Sequence, residues 1–445
     1  MAKMKTLSKW TNTALLGVAQ LATLGMVNSA QAADLITAYQ DAVKYDSSLA
    51  ASRASLMAER EGEVQARSGL LPTVNLSASL QHLDLNSDLG DDSYRTAAFG
   101  LSLAQPVFRA QNWFTFQASQ ENTRIAETQF SIAQQQLILD VATAYFNVLK
   151  AQETLRTTQA AEAAFKRQWE QAKERFDVGL IAITEVHEAK ANYDATKTGR
   201  IQAQGALDIA RDTLGRLSGA TYEQINDLKA ALPIQEPSPS SADAWVKSAT
   251  TNNLSIQANQ FAVEAQQLQL KTAQSGHLPT VDLIASYGNN HYTGRSPADD
   301  SLGSASLTLD FNMPLYAGGR TESGVSQARY KLEELELNLE TARRNVKLNT
   351  TSLYRTIVTD IETVASQKQN IVSRESALEA TKAGYNVGTR NIVEVLDAER
   401  SYYIALAEYA TARYDYVIDT LKLKQTAGSL SPQDLIDLNQ WLEAR

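Results

Sequence analysis

The chain contains no cysteine. That excludes disulfides, thiolate metal sites, thiol nucleophiles and lipid acylation at an N-terminal cysteine. Histidine is nearly as scarce. His82, His187, His277 and His291 are the only four, and they share no metal-ligand spacing. No glycine-rich phosphate loop or nucleophile elbow appears, so neither a cofactor nor an enzymatic activity is expected. Positive charge is also short, with 41 basic against 50 acidic residues and a net charge of −9, which argues against nucleic-acid binding. Beyond residue 32 no stretch approaches the ~18 consecutive apolar residues of a membrane-spanning helix. If the mature chain crosses a membrane, it must do so as β-strands. Proline is absent between Pro106 and Pro233 and again between Pro314 and Pro432, which leaves room for very long helices.

Residues 1–32 read as a secretory signal. Lys3, Lys5 and Lys9 form a positive start, an apolar stretch runs from Ala14 to Val27, and Ala30-Gln31-Ala32 supplies small residues before a cleavage point. Cleavage would remove three lysines and no acid, taking the net charge from −9 to −12.

The rest of the chain repeats one plan. Ser68-Gly69-Leu70-Leu71-Pro72-Thr73-Val74 returns as Ser275-Gly276-His277-Leu278-Pro279-Thr280-Val281, 207 positions later. Pro106 returns as Pro314 and Phe176-Asp177-Val178-Gly179 as Tyr385-Asn386-Val387-Gly388, at offsets of 208 and 209. So constant an offset implies duplication of a whole unit, each reading helix, two strands, long helix, turn, long helix. The first repeat is expected over 33–232, with a strand hairpin at about 72–108 and a helix pair at about 110–217. A Pro/Ser-rich linker follows at 233–245. The second repeat is expected over 246–426, with a hairpin at about 279–316 and a helix pair at about 318–426, and 427–445 form a closing segment.

In the expected strands, Val74, Leu76, Ala78 and Leu80 alternate with polar residues, and so do Ala305, Leu307, Leu309 and Phe311. Period two means one apolar and one polar face. The polar segments Asn86–Asp92 and Asn289–Asp300 are expected as loops. A soluble sheet would show the same alternation, but the count is informative. Four strands cannot close a membrane barrel, so a barrel demands an oligomer. In the helical parts, Ile125, Ile132, Leu139 and Phe146 recur every seven residues, as do Ile357, Val364, Ile371, Leu378 and Tyr385. Heptads mean coiled-coil seams. A helix from Ala110 to Phe176 would extend roughly 100 Å, the length of a stalk or tunnel. Phe108, Trp113, Phe114, Phe116 and Tyr316 gather where strands meet helices, either as an interfacial girdle or as ordinary packing.

Arg175-Phe-Asp-Val-Gly-Leu-Ile-Ala-Ile-Thr-Glu-Val and Gly384-Tyr-Asn-Val-Gly-Thr-Arg-Asn-Ile-Val-Glu-Val closely resemble the paired turns of the TolC-like export ducts, the outer membrane factor family. Ala144–Leu149 and Gly276–Thr280 match that family too. The resemblance implies a homotrimer in the Gram-negative outer membrane. Its twelve-stranded β-barrel, four strands per protomer, would continue as a coiled-coil helical barrel in the periplasm. It further implies export of drugs or proteins in company with a periplasmic adaptor and an inner-membrane pump or ABC transporter. A structural stalk or a periplasmic adaptor is the alternative reading, and neither needs matching strand hairpins in both halves.

The helix tips carry the candidate residues. Gly179 and Gly388 suit reversals that need positive φ. With Val178, Leu180, Val387 and Thr389 they form the turns that the resemblance assigns to adaptor docking. Glu394 and Asp397 are three apart, hence on one helix face. Threefold symmetry and the resemblance together make them a cation-attracting ring, with Glu394 where the family favours Asp. The resemblance also implies a closing latch between the turns, with Tyr385 donating to Glu185 and Arg390 bonding Thr184 or Glu185.

Overall fold

A computed structural model describes residues 33–87, 90–229, 231–294 and 300–443. The signal segment lies outside the described residues. The first repeat opens with two helices rather than one, α1 (Leu35–Tyr45) and α2 (Ser47–Ser68). Asp46 makes the break: its backbone is extended and its carboxylate accepts the Leu49 N–H at 2.7 Å, capping α2. Strands β1 (Thr73–Ser87) and β2 (Gly90–Phe108) follow, then the helices α3 (Ala110–Asp177) and α4 (Ile183–Ser218) and a short strand β3 (Asp227–Leu228). The second repeat runs α5 (Ala242–Asn252), α6 (Leu254–Gln274), β4 (Thr280–Thr293), β5 (Asp300–Asn312), α7 (Arg320–Asn386) and α8 (Ile392–Thr426). Asn253 breaks α5 from α6 as Asp46 does in the first copy, by accepting the N–H groups of Ser255 and Ile256. Helix α9 (Pro432–Asn439) and strand β6 (Leu442–Glu443) end the chain, and β6 pairs with β3.

The expected loop at Asn86–Asp92 is mostly strand, because β1 reaches Ser87 and β2 begins at Gly90. Likewise β4 continues through Thr293 and β5 starts at Asp300. Polar side chains do not stop a ladder whose backbone groups still pair, so the hairpins extend beyond their apolar band.

The four long strands form one antiparallel sheet in the order β1-β2-β4-β5. Its register sorts the faces. Val74, Leu103, Ala285 and Leu307 stand in one row, and Leu76, Leu101, Tyr287 and Ala305 in the next on the same side. The other side carries Asn75, Ser102, Ser286 and Ser306, with the Ser286 and Ser306 hydroxyls 2.7 Å apart. The apolar side is largely exposed, as at Leu80, Leu307, Leu309 and Phe311. Strands β1 and β5 are open edges. No helix among the described residues is long and apolar enough to cross a membrane.

Helices α3 and α7, of 68 and 67 residues, extend about 100 Å each at 1.5 Å per residue. The sheet meets them at Arg109, whose guanidinium clamps Asp282 of β4 through Nε at 2.8 Å and Nη2 at 2.6 Å. Near mid-length α3 passes through the main core, where Tyr145, Phe146, Leu149, Leu214, Leu421 and Leu35 are fully or almost fully buried. The buried Tyr145 hydroxyl lies 2.9 Å from the Asn226 carbonyl and 3.2 Å from that of Ala33, tying the segment before α1 and the first repeat's end to α3.

Just past the end of α8, Gly428 has a φ of 72° and a Cβ position only 2.2 Å from the Asn252 carbonyl oxygen. Gly428→Ala should cost about 1–3 kcal/mol from backbone strain alone, more with the clash. Gly205 on α4 faces open space, so Gly205→Ala should gain up to ~1 kcal/mol of helix propensity. The temperature at which the oligomer collapses to monomer on a gel should fall for the first variant and hold or rise for the second.

Candidate functional site

The two long hairpins reverse at equivalent turns. At the end of α3 the Gly179 and Leu180 N–H groups donate to the carbonyls of Phe176 and Arg175, both at 2.8 Å, with Gly179 at φ 76°. At the end of α7 the Thr389 N–H and hydroxyl both donate to the Gly384 carbonyl, at 2.9 and 3.0 Å, and Gly388 sits at φ 81°. These closures satisfy helix-end carbonyls and require a residue without Cβ at the left-handed position. They also push Val178, Leu180 and Val387 into solvent, each at least 70% exposed.

Helix α8 starts from a tight polar cap. The Asn391 side chain accepts the Glu394 N–H at 2.9 Å and donates to Glu394 Oε1 at 2.9 Å. Arg390 donates to the other oxygen of the same carboxylate at 2.5 Å. Asp397 has Arg400 beside it at 3.5 Å. The two expected ring carboxylates thus stand on one face of α8, each with a local cation. Among the described residues no three or more His, Asp or Glu side chains of one chain are placed to hold a metal ion, so a ring of these groups needs the other copies.

In the single chain the residues expected to form the latch make other contacts. Arg390 is engaged with Glu394 rather than with Thr184 or Glu185. The Tyr385 ring lies under the Arg175 guanidinium, 4.9 Å from its centroid, instead of donating to Glu185. The cause is proximity: Arg390 lies just before the Asn391 cap and Glu394 in the first turn of α8, only four residues on. Arg175 also donates to Asn386 at 3.3 Å. Arg175 therefore joins the two turns, a role that the turn pattern alone does not disclose. A second link between hairpins runs from Arg400 of α8 to Asn192 of α4. Neither could be read from spacing, since the partners are 211 and 208 residues apart. Inside the first hairpin, Trp169 and Tyr193 stack with centroids 5.6 Å apart. Beside them an apolar cleft of about 280 Å³ opens between α3, α4 and α8, lined in part by Ala161, Phe165, Ala195, Gly199, Tyr403 and Ile404.

Farther from the tip, Asp360 of α7 faces Asp415 and Asp419 of α8. Lys150 of α3 reaches Asp415 at 3.3 Å and Lys422 reaches Asp419 at 2.8 Å, while Asp360 Oδ2 is buried with no hydrogen-bond partner. Burial first, and then the two neighbouring carboxylates, push Asp360 up to about 6, against the opposing Lys422.

The model of the outer membrane efflux protein family matches residues 38–220 and 245–429. The chain is 36% identical to the outer membrane protein TolC of Escherichia coli K12, over 94% of this chain and 87% of that protein. It is 25% identical to the proteases secretion protein PrtF of Dickeya chrysanthemi, over 94% of this chain and 92% of that one. Among solved structures, the CmeC outer membrane channel of Campylobacter jejuni superposes with a TM-score of 0.77 at 17% identity, covering 92% of this chain and 90% of that one.

Because Asp360 titrates higher folded than its ordinary value of 3.8, its contribution to stability is fully present below about pH 4 and is lost as pH rises through about 6. Asp360→Asn should therefore stabilise the protein at pH 7.5 and change little at pH 4.5. Melting temperatures at the two pH values check this.

Proposed function

From the premise that the chain belongs to the outer membrane efflux protein family, we propose that it serves as a passive exit duct gated at the periplasmic helix tips. Three copies form the twelve-stranded barrel and helical tunnel of a Gram-negative outer-membrane channel. The observation that carries the reading is the sheet itself. It has four strands, two open edges and an exposed apolar face, and it continues directly into helices about 100 Å long. A coiled-coil stalk or an adaptor has no use for such a third of a barrel.

The energy for export comes from elsewhere, supplied by an inner-membrane pump or ABC transporter through a periplasmic adaptor. The adaptor docks on the exposed tip turns at Val178, Gly179, Leu180, Val387, Gly388 and Thr389, where apolar side chains already stand in water. Drug-like molecules and proteins are both within reach of such a duct, and the pump selects between them.

Closure uses Thr184, Glu185, Tyr385 and Arg390. Within one chain Arg390 is held by Glu394, so the latch forms when Arg390 and Tyr385 turn to the first-hairpin turn, of the same copy or its neighbour. Each link is worth on the order of 1–3 kcal/mol. Repeated threefold, that is enough to hold a tip and weak enough for a docking partner to release. Glu394 and Asp397 from three copies make a ring of six carboxylates at the narrow end, which concentrates cations.

Tyr385→Phe combined with Arg390→Glu should raise single-channel conductance in planar bilayers, and unchanged conductance would sink the latch. Trivalent cations should block the parent channel, and Glu394→Ala with Asp397→Ala should relieve the block. Equal block in both proteins would remove the ring.

A further inference from the structure

One carboxylate near the tip is buried rather than solvated. Glu399, in α8, is 3% exposed. Its Oε1 accepts from Lys382 Nζ of α7 at 3.0 Å, a link inside the second hairpin. Its Oε2 is buried and has no hydrogen-bond partner. A charged acceptor left in that condition is costly, and native structures keep few of them.

That residue borders a polar cavity of about 260 Å³ between the two hairpins, walled by Arg167, Gln168 and Gln171 of α3 and by Lys382 and Asn386 of α7. The cavity is roomy enough for a side chain to swing. Arg167 is exposed and has no ion-pair partner among the described residues. It lines the same cavity as Glu399. Burial pushes the Tyr403 hydroxyl up, Glu399 adds to that shift, and Arg167 opposes it. The carboxylate therefore has one cation of its own hairpin in hand and one cation of the other hairpin on the wall of the same cavity.

We propose that Glu399 is a two-position charge. Lys382 holds it in the present conformation, and Arg167 donates to its second oxygen when the hairpins shift past each other. Buried charge pairs specify an arrangement more than they add stability, because the alternative is an uncompensated charge. Two competing partners on two rigid hairpins make the arrangement bistable rather than continuously deformable. This rests on the gating read from the tips, but it assigns the switch to a site that the latch does not use.

The absence of cysteine makes a direct test possible. Spin labels on Val178→Cys and Val387→Cys report the distance between the two tips of a protomer in the full trimer. Lys382→Met should shift the population toward a second distance by about tenfold, since it removes the partner that favours the present arrangement. Adding Arg167→Met should reverse the shift toward the second distance, because Glu399 then has a partner in neither arrangement. Glu399→Gln, nearly isosteric, should match that double variant. If Lys382→Met leaves the distances unchanged, or Arg167→Met fails to reverse its effect, the proposal is wrong. Should Lys382→Met fail to assemble, as read by the heat-dependent trimer band, Lys382→Gln replaces it with the same outcomes. The latch variant Tyr385→Phe/Arg390→Glu is read alongside. A shift in the latch variant alone overturns the Glu399 switch and spares the latch, and a shift in Lys382→Met alone does the reverse.

Discussion

The constraint on which the rest depends is the backbone hydrogen bond in lipid. Inside a bilayer no water satisfies an unpaired N–H or C=O, so a sheet there must close on itself. This chain supplies four strands, with β1 and β5 unpaired along their outer sides. The missing partners can come only from copies of the same chain, and family membership sets that number at three. Trimerisation is thus a requirement of the barrel rather than an addition to a folded monomer. It also explains the exposed faces of β5 and α7, which would be anomalous in a protein that works alone.

Duplication then has a geometric use. Each repeat contributes one strand hairpin and one long helix hairpin, so three chains place six similar units around the axis. The sequence departs from equivalence where function needs it. Both turns keep a left-handed glycine, Gly179 and Gly388, because a reversal of that kind tolerates little else. Only the second copy starts its return helix with the Asn391 cap and follows it with Arg390–Glu394 and Arg400–Asp397 pairs. The first copy starts α4 at Ala182, with no side-chain cap. Charge and capping are concentrated on one hairpin of each pair.

Much of this was legible in the sequence because the signals are local and periodic. Alternation at Val74–Leu80 gave the sheet faces. The heptads gave Ile357, Val364 and Leu378, all of which are buried. Missing prolines gave the helix lengths, and a nearly fixed offset gave the duplication. What was not legible depends on chain segments far apart or on competition between partners. Asp46 and Asn253 split the opening helices through side-chain caps that heptad reading does not see. Arg175 and Asn386 are 211 residues apart, and Lys382 reaches Glu399 across a turn whose depth no spacing rule supplies. Arg390 takes the carboxylate of Glu394, four residues on, in place of a residue of the first turn.

That last substitution bears on how a tip of this kind can move at all. Arg390 is exposed and Glu394 partly so, and ion pairs left in water in this way contribute at most about 1 kcal/mol. Trading such a pair for a link to the first turn is nearly neutral, so the tip can hold two arrangements without a large barrier of broken contacts. A buried pair behaves otherwise. Lys382–Glu399 cannot be separated without leaving a charge in a poorly solvated site, unless a second cation arrives as the first departs. Surface pairs at the tip therefore let the hairpins rearrange. The buried carboxylate behind them decides which arrangements are discrete, and it does so only because cations from both hairpins border the same cavity.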